Sequence, residues 1–158
     1  MAVDNVDKCA MPEEIQAKHF LMLEDNDDDA YFLRRAFRAL PHCSVFVCRS
    51  IPEAKAYVCG TGVYADRANF PRPTGVIADL HLGSQSGIDF VRWLRSTPDC
   101  CRLPATILAT EITDAEREEL RELGVQRFLL KPSGANELKE MILALATDLC
   151  GGTGLPAA

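Results

Sequence analysis

Residues 19–30 read HFLMLEDNDDDA, a short apolar run that ends abruptly in acidic residues. A bounded, continuously apolar run of this length is typical of a parallel strand that is buried on both faces. Four further runs of the same kind follow: Val45–Cys48 (VFVC), Gly75–Ala78 (GVIA), Ala105–Leu108 (ATIL) and Gln126–Leu130 (QRFLL). Together with His19–Leu23, they predict five buried strands.

Each apolar run is followed by a stretch whose apolar residues recur at helical spacing. The first stretch extends from Ala30 to Leu40, and Pro41 ends it. The others are Pro52–Cys59, the residues from Gly87 to before Pro98, Thr113–Leu123 with a capping-box start, and the strongly apolar Leu138–Leu149. Strict alternation of strands and helices predicts an α/β fold, a doubly wound parallel sheet with helices on both faces.

The remaining segments predict one domain with short ends. Residues 60–74 (GTGVYADRANFPRPT) are punctuated by Gly and Pro and predict a long loop. Residues 1–18 are expected to form an N-terminal extension and residues 150–158 a flexible tail, which leaves 19–149 as the folded domain. The length of 158 residues leaves no room for a second domain of ordinary size.

The charge balance argues against two classes of partner. The chain has 17 basic and 23 acidic side chains and a net charge of −6, whereas nucleic acids and anionic membranes attract clustered Lys and Arg. The first twenty residues lack the basic start and apolar centre of a signal peptide, and no apolar run approaches the roughly 20 residues of a membrane helix. We therefore expect a soluble cytoplasmic protein.

The seven cysteines are an odd number, so they cannot form a fully paired disulfide framework. They contain no C-x-x-C pattern, and Cys100 and Cys101 are adjacent, which suits neither a zinc site nor an ordinary disulfide. We expect free, mostly buried thiols in a reducing cytoplasm.

Acidic residues and a lysine follow the ends of different predicted strands. Glu24 and Asp25 follow the first strand, Asp79 the third and Lys131 the fifth. Carboxyl ends of parallel strands meet at one edge of the sheet, which is where such folds place their chemistry. Three carboxylates repel one another without a counter-charge, and oxygen ligands favour Mg²⁺. A carboxylate beside Mg²⁺ and Lys is well placed to attack a phosphoryl donor and form an acyl phosphate.

Less specific interpretations compete with this one. Asp27, Asp28 and Asp29 are better explained as a solvated first helical turn, where acids are favoured by the helix dipole. Asp79 alone could be a turn residue, and Lys131 alone could cover a surface. The functional interpretation depends on these residues following different strands of one predicted sheet.

Three motifs make the chain resemble the receiver domain of two-component response regulators. They are FLMLEDNDDDA at 20–30, GVIADLHLGSQSGIDFVRWLR at 75–95 and LGVQRFLLKP at 123–132. The resemblance covers about residues 19–149 and implies the flavodoxin-like receiver fold with strand order 2-1-3-4-5. The EDN-x-DD opening, the YADR of residues 64–67 and Phe70-Pro71 resemble single-domain regulators that pair with bacterial phytochrome kinases.

The resemblance implies a role for each residue at the predicted edge. Asp79 resembles the phosphoacceptor, and Lys131 would pair with the phosphoryl oxygens. Asp25 looks like a direct Mg²⁺ ligand, Glu24 would act mainly through metal-bound water, and the backbone carbonyl of His81 would complete the protein ligands. The His81 ring could instead bind metal or carry a phosphoryl group, but we favour a side chain over the pocket that tunes the access of water.

The resemblance also implies two further features near the fifth strand. Phe128 falls where the family has its rotating aromatic switch. The family's Lys–Pro peptide is usually cis, which implies a cis Lys131–Pro132 bond.

The switch hydroxyl is the position where the sequence departs from the family. Ala109 falls where the family has Thr or Ser, and Thr110 falls one residue later. Because side chains alternate along a strand, Thr110 could serve only if the strand end is bulged; otherwise the usual switch hydroxyl is missing. Substitution of Thr110 by Ala should slow the phosphorylation-linked change in the first case and leave it unaffected in the second.

The function implied is a phosphoacceptor protein rather than a conventional enzyme. A sensor histidine kinase would donate a phosphoryl group to Asp79 with Mg²⁺, and the narrower resemblance implies that this kinase is a bacteriophytochrome. The chain would also phosphorylate itself from small phosphoryl donors and would slowly dephosphorylate itself. With no output domain, the signal would pass by protein contact or by homodimerisation through the fourth helix, fifth strand and fifth helix.

Three alternatives remain. The first is a pseudo-receiver that binds without phosphorylation. The second is a Mg²⁺ phosphatase, which would need an acid where His81 stands. The third is an FMN binder, but the chain lacks a phosphate loop after the first strand.

Overall fold

The computed structural model describes residues 16–125 and 127–151. Five parallel strands form one sheet: β1 (Lys18–Leu23), β2 (Cys43–Cys48), β3 (Gly75–Asp79), β6 (Ala105–Ala109) and β7 (Arg127–Leu130). The α-helices are α1 (Asp27–Arg38), α2 (Ile51–Cys59), α3 (Gly87–Ser96), α4 (Asp114–Glu122) and α5 (Ala135–Gly151). Along the chain, β6 and β7 are the fourth and fifth strands of this sheet. The observed order β2-β1-β3-β6-β7 is therefore the predicted order 2-1-3-4-5, which is confirmed.

The core has two layers, one on each face of the sheet. Met22 and Ile77 belong to the layer that α1 and α5 complete. Their neighbours in the chain, Leu23 and Ala78, belong to the layer completed by α2, α3 and α4. Successive residues of a strand point to opposite faces, so a strand buried on both sides must be apolar throughout. For this reason, the buried strands occur in the sequence as continuous apolar runs.

Local capping fixes where the helices begin. The Asn26 side chain accepts hydrogen bonds from the backbone N–H groups of Asp28 and Asp29 at the start of α1. Ser50 caps α2, and Thr113 forms the predicted capping box at α4 with Glu116. Each cap provides partners for N–H groups that have none within the helix.

Three short elements were not predicted. A 3-10 helix (Gly62–Ala65) lies in the long loop, and two-residue strands β4 (His81–Leu82) and β5 (Gln85–Ser86) pair antiparallel directly after β3. Gly83, in the turn between β4 and β5, has a φ of 59°, a conformation that glycine adopts without strain. Strands of two residues are too short to show a periodicity.

The prediction that the cysteines are free is wrong for one pair. Cys43, at the start of β2, and Cys150, near the end of α5, form a disulfide with a Cα–Cα distance of 6.2 Å. They are 107 residues apart in sequence, and only the fold brings them together. Four other cysteines are free: Cys48 and Cys100 are buried, Cys101 is half-buried and Cys59 is exposed. Cys9 lies outside the described residues.

The boundary predictions at the two ends are only partly within the described residues. Lys18 belongs to β1 and Gly151 to α5, whereas residues 1–15 and 152–158 lie outside what the structure describes. Among the described helices, none is both long and apolar enough to cross a bilayer.

Arg67, from the YADR segment, closes the carboxyl end of α2. Its guanidinium donates to the backbone carbonyls of Tyr57 at 2.9 Å, Val58 at 2.8 Å and Phe70 at 3.2 Å. The last carbonyls of a helix have no partner within it, and a cation there also offsets the helix dipole. The loop is held further by a cluster of aromatic rings, formed by Phe46, Tyr57, Tyr64 and Phe70.

Replacing Arg67 by Met should lower the free energy of unfolding by about 2 kcal/mol, because several charge-assisted hydrogen bonds are lost together. Urea denaturation measures this. Arg72→Met is the matched control, since Arg72 is exposed and makes no hydrogen bond or ion pair within the described part of the chain. Equal stabilities of the two variants would contradict the capping role.

Candidate functional site

A lysine and three acids meet at the carboxyl edge of the sheet, with the lysine and two of the acids from strand ends and the third acid from the first turn of α1. The Lys131 ammonium, directly after β7, donates to Glu24 Oε2 at 2.8 Å, to Asp29 Oδ2 at 2.6 Å and to Asp79 Oδ2 at 2.6 Å. An ammonium has three N–H donors, so all are used. The Lys131 side chain is 7% exposed and that of Glu24 is fully buried. The predicted meeting of Lys131 with Glu24 and Asp79 is therefore present in the structure.

Strand register sets these positions. In the sheet, Asp79 at the end of β3 pairs with Leu108 of β6, and the Lys131 N–H donates to the carbonyl of Ala109 at 2.7 Å. The Glu24 N–H donates to the carbonyl of Cys48 at 3.1 Å. The backbone of Glu24, Asp79 and Lys131 is thus fixed by the neighbouring strands before any side chain is considered.

Asp79 is also held from its other side. Its Oδ1 accepts a hydrogen bond from the His81 N–H at 3.1 Å, so both carboxylate oxygens have a partner. Gly87, the first residue of α3, lies against its main chain: a Cβ added at Gly87 would lie 2.3 Å from the Asp79 carbonyl oxygen. The Gly87 N–H donates to the carbonyl of Leu80 at 2.9 Å. The hairpin and α3 therefore define the position of Asp79.

Burial and ion pairing oppose each other at this site. Burial raises the pKa of Glu24 from 4.5 to about 7, although the hydrogen bonds from Lys131 and the Asn26 N–H lower it. Burial alone would lower the pKa of Lys131, but its bonds to Asp29, Asp79 and Glu24 outweigh this and raise it. Lys131 therefore stays charged, whereas the hydrogen bonds to Glu24 offset only part of the cost of burying its carboxylate.

Without divalent cations, we expect the free energy of unfolding to fall by about 2 kcal/mol between about pH 4.5 and about pH 7.5. Glu24 binds its proton more tightly in the folded chain than in the unfolded one. Stability is therefore highest while Glu24 is protonated, and it is lost as the pH rises through its folded pKa of about 7.

Urea unfolding in EDTA across this pH range provides the measurement, with Glu24→Gln as the control. The neutral amide should remove this part of the pH dependence. The same slope in both proteins would show that another group is responsible.

The carboxylate oxygens of Glu24, Asp29 and Asp79 lie within 4.8 Å of one another, a grouping that could hold a metal ion. Oxygen-only donors with an excess of negative charge suit a hard divalent cation. The predicted ligand Asp25 is exposed and outside this grouping. Its Oδ2 would lie 3.9 Å from a Cβ added at Gly83, so it faces the β4–β5 turn at the rim of the site.

Asp29 is the residue that the sequence interpretation missed. A solvated first turn describes Asp28, which is exposed, and Asp27, which pairs with Arg49. It does not describe Asp29, whose side chain is 17% exposed. The available signal was periodicity: Asp29 precedes the fully buried Leu33 by four residues, which places both on one face of α1.

The end of β6 has no bulge. Its residues pair one to one with β7 up to Ala109 opposite Leu130. Ala109 is buried, whereas Thr110 follows the strand and is exposed. The bulged alternative is therefore not what the structure has, and a switching role for Thr110 stays a prediction.

Two other predicted residues lie close to this region. The exposed His81 ring lies 3.3 Å, Nε2 to oxygen, from the carbonyl of Glu111 in the loop after β6. The half-buried Phe128 ring packs against the core and beneath the Arg117 guanidinium, 4.6 Å from the ring centre. The roles given to both residues stay predictions.

The Lys131–Pro132 peptide is trans, since no peptide bond among the described residues is cis. The cis bond implied by the resemblance is therefore wrong here. The trans form is the lower in energy even before proline, by about 0.5–1 kcal/mol.

Comparisons with known proteins find chains of similar sequence and fold. Response regulator Rcp1 of Synechocystis sp. is 25% identical over 143 residues, which are 89% of this chain and 95% of that protein. The crystal structure of Mn²⁺-bound Rcp1 has a TM-score of 0.77 at 24% identity and covers 89% of this chain and 99% of its own.

Two further solved structures are similar. That of the phosphorylated cyanobacterial phytochrome response regulator RcpA has a TM-score of 0.78 at 24% identity, covering 88% of this chain and 98% of its own. That of RPA3017, a response regulator in red light signaling of R. palustris, has a TM-score of 0.74 at 26% identity, covering 89% and 99%. A family model, the response regulator receiver domain, matches residues 20–143. The chain therefore belongs to the response regulator receiver domain family.

Proposed function

We propose that this chain is a phosphoacceptor of two-component signalling that takes a phosphoryl group onto Asp79. The observation that carries the proposal is the buried Lys131 ammonium bonded to the Asp79 carboxylate at 2.6 Å, at the carboxyl edge of the five-stranded sheet. A lysine in this position can bind the oxygens of an incoming phosphoryl group.

A divalent cation, which we take to be Mg²⁺, fits the donor set. Asp79 and the carbonyl of His81 would hold it together with Asp25, which faces the site from its rim, and Glu24 would act through bound water. When bound, it would offset the charge of the acids and of the phosphoryl oxygens. The grouping of carboxylate oxygens from Glu24, Asp29 and Asp79 within 4.8 Å of one another supports this assignment.

The residues of the chain itself account for the transfer of the phosphoryl group. A carboxylate oxygen of Asp79 attacks phosphorus, the new O–P bond forms, and the N–P bond of a phosphohistidine breaks. The electron pair of the broken bond stays on the imidazole, which takes a proton from solvent. One N–H of Lys131 turns from Asp79 Oδ2 to a phosphoryl oxygen, while its bond to Glu24 holds the ammonium in place.

The partner we propose is a sensor histidine kinase, specifically a bacteriophytochrome. The similarity to RPA3017, a regulator in red light signaling, supports this choice. We further propose that residues 19–149 act as the receiver and signal by protein contact or by dimerisation through α4, β7 and α5. On that face, Leu130 and Leu143 are about half exposed.

Incubation with acetyl phosphate and Mg²⁺, read by intact mass, tests the proposal. The wild-type chain should gain one phosphoryl group, and Asp79→Asn should gain none because an amide is not a nucleophile of this kind. Asp89→Asn, an exposed acid on α3, is the matched control and should react like the wild type. An equal gain by Asp79→Asn would refute the acceptor assignment.

A pseudo-receiver is the second candidate, favoured only by the buried Ala109 in place of a hydroxyl. No mass gain on the wild-type chain, from acetyl phosphate or from a panel of phosphorylated kinases, would favour it.

A further inference from the structure

Asp29 has a contact that phosphoryl transfer onto Asp79 does not require. Its Oδ2 takes one of the three N–H donors of Lys131 at 2.6 Å, as close as the acceptor Asp79 itself. Glu24 takes the third. Lys131 is thus shared among three carboxylates, only one of which receives the phosphoryl group.

Asp29 is distinct from its neighbours in the same turn. Asp28 is exposed, and its side chain has no partner among the described residues. Asp27 pairs with Arg49 at the surface. Asp29 alone of the three faces the site, and its side chain is 17% exposed, so solvent screens its charge only partly.

A phosphoryl group on Asp79 would replace the single negative charge of the carboxylate by about two on the acyl phosphate, a net gain of about one negative charge close to Asp29. The facing oxygens of Asp29 and Asp79 lie within 4.8 Å of each other. Asp29 would oppose this group in two ways: it repels the added negative charge, and it keeps one Lys131 donor from the phosphoryl oxygens. The same negative charge favours a nearby divalent cation.

We infer that Asp29 is a positioning residue that acts through Lys131 and lowers the affinity of the site for a phosphoryl group. This inference rests on the proposed function. Asp29 tunes how long and how fully Asp79 stays phosphorylated, while it strengthens cation binding. A site with Glu24 and Asp79 alone would hold a phosphoryl group more tightly and a divalent cation more weakly.

Beryllofluoride, an anion that mimics a phosphoryl group on a carboxylate, provides the test. Its affinity is measured by calorimetry at saturating Mg²⁺ for the wild type, Asp29→Asn and Asp28→Asn. The amide still offers Lys131 an oxygen acceptor, so mainly the charge is lost. We expect Asp29→Asn to bind beryllofluoride about tenfold more tightly and Mg²⁺ several-fold more weakly, with Asp28→Asn within about twofold of wild type.

Opposite shifts for the anion and the cation would not arise from a merely structural role, which would weaken both. Asp29→Ala should shift in the same directions and replaces the Asn variant if that one folds poorly. Equal or weaker beryllofluoride binding by Asp29→Asn relative to Asp28→Asn would overturn the inference alone. A wild-type chain that binds no beryllofluoride and gains no phosphoryl group would overturn the proposed function and this inference with it.

Discussion

Replacing Lys131 by Met is expected to lower the free energy of unfolding by about 3–5 kcal/mol at about pH 8 without divalent cations. Lys131 is the one cation bonded to Glu24, Asp29 and Asp79 within the described residues, and its removal leaves three acids facing one another. Methionine has a similar length, so the loss reports charge rather than volume.

Two conditions should reduce this loss, and urea denaturation measures both. Towards about pH 5, Glu24, whose pKa is raised by burial, takes up a proton, so fewer negative charges face one another and the variant recovers stability relative to the wild type. Saturating Mg²⁺ should also restore part of it by replacing the missing positive charge. Lys139→Met, an exposed lysine on α5, is the control and should change stability by less than about 1 kcal/mol. A loss in Lys131→Met that is small and independent of pH would contradict the ion pairing described here.

Replacing Gly87 by Ala should destabilise the protein by about 3 kcal/mol and impair phosphorylation of Asp79. The added Cβ would lie 2.3 Å from the Asp79 carbonyl oxygen and 3.3 Å from the Leu80 Cα. Both obstacles are backbone, so either the end of β3 or the start of α3 must move. Movement of β3 displaces the acceptor from Lys131.

Denaturation and the rate of phosphoryl gain from acetyl phosphate measure the two effects. Gly134→Ala is the matched control, because the Cβ added there would meet only the carboxylate end of the flexible Glu137 side chain. Neither glycine has a positive φ, so the comparison isolates packing. A Gly87→Ala variant as stable and as reactive as Gly134→Ala would show that the contact is easily relieved.

Much of the fold could be predicted because the central strands are buried on both faces. β1 begins at Lys18 rather than His19, and β6 ends at Ala109 rather than Leu108, so the apolar runs located these strands to within a residue. β2 starts two residues before the predicted Val45, since an edge strand mixes polar residues with apolar ones. The order of the strands required the resemblance, because periodicity contains no information on which strands are neighbours.

The site was harder to predict where it depends on side-chain direction. Glu24, Asp79 and Lys131 could be grouped because each follows a strand, and strand ends share an edge. Asp29 could not be separated from Asp27 and Asp28 by composition, since only the helical phase turns it inward. The Cys43–Cys150 disulfide joins residues whose proximity depends on the whole fold, and no local spacing indicates it.

That disulfide also determines how α5 could respond to a signal. Its carboxyl end is joined to β2 by the Cys43–Cys150 bond, and the Lys18 ammonium donates to the carbonyl of Leu149 at 2.9 Å. The opposite end, at Ala135, follows shortly after Lys131 in the chain. Because its carboxyl end is held at these two points, we expect any displacement of α5 to be greatest at its amino end, beside Lys131. The helix would therefore pivot about its carboxyl end, which lies at the opposite edge of the sheet from the acids.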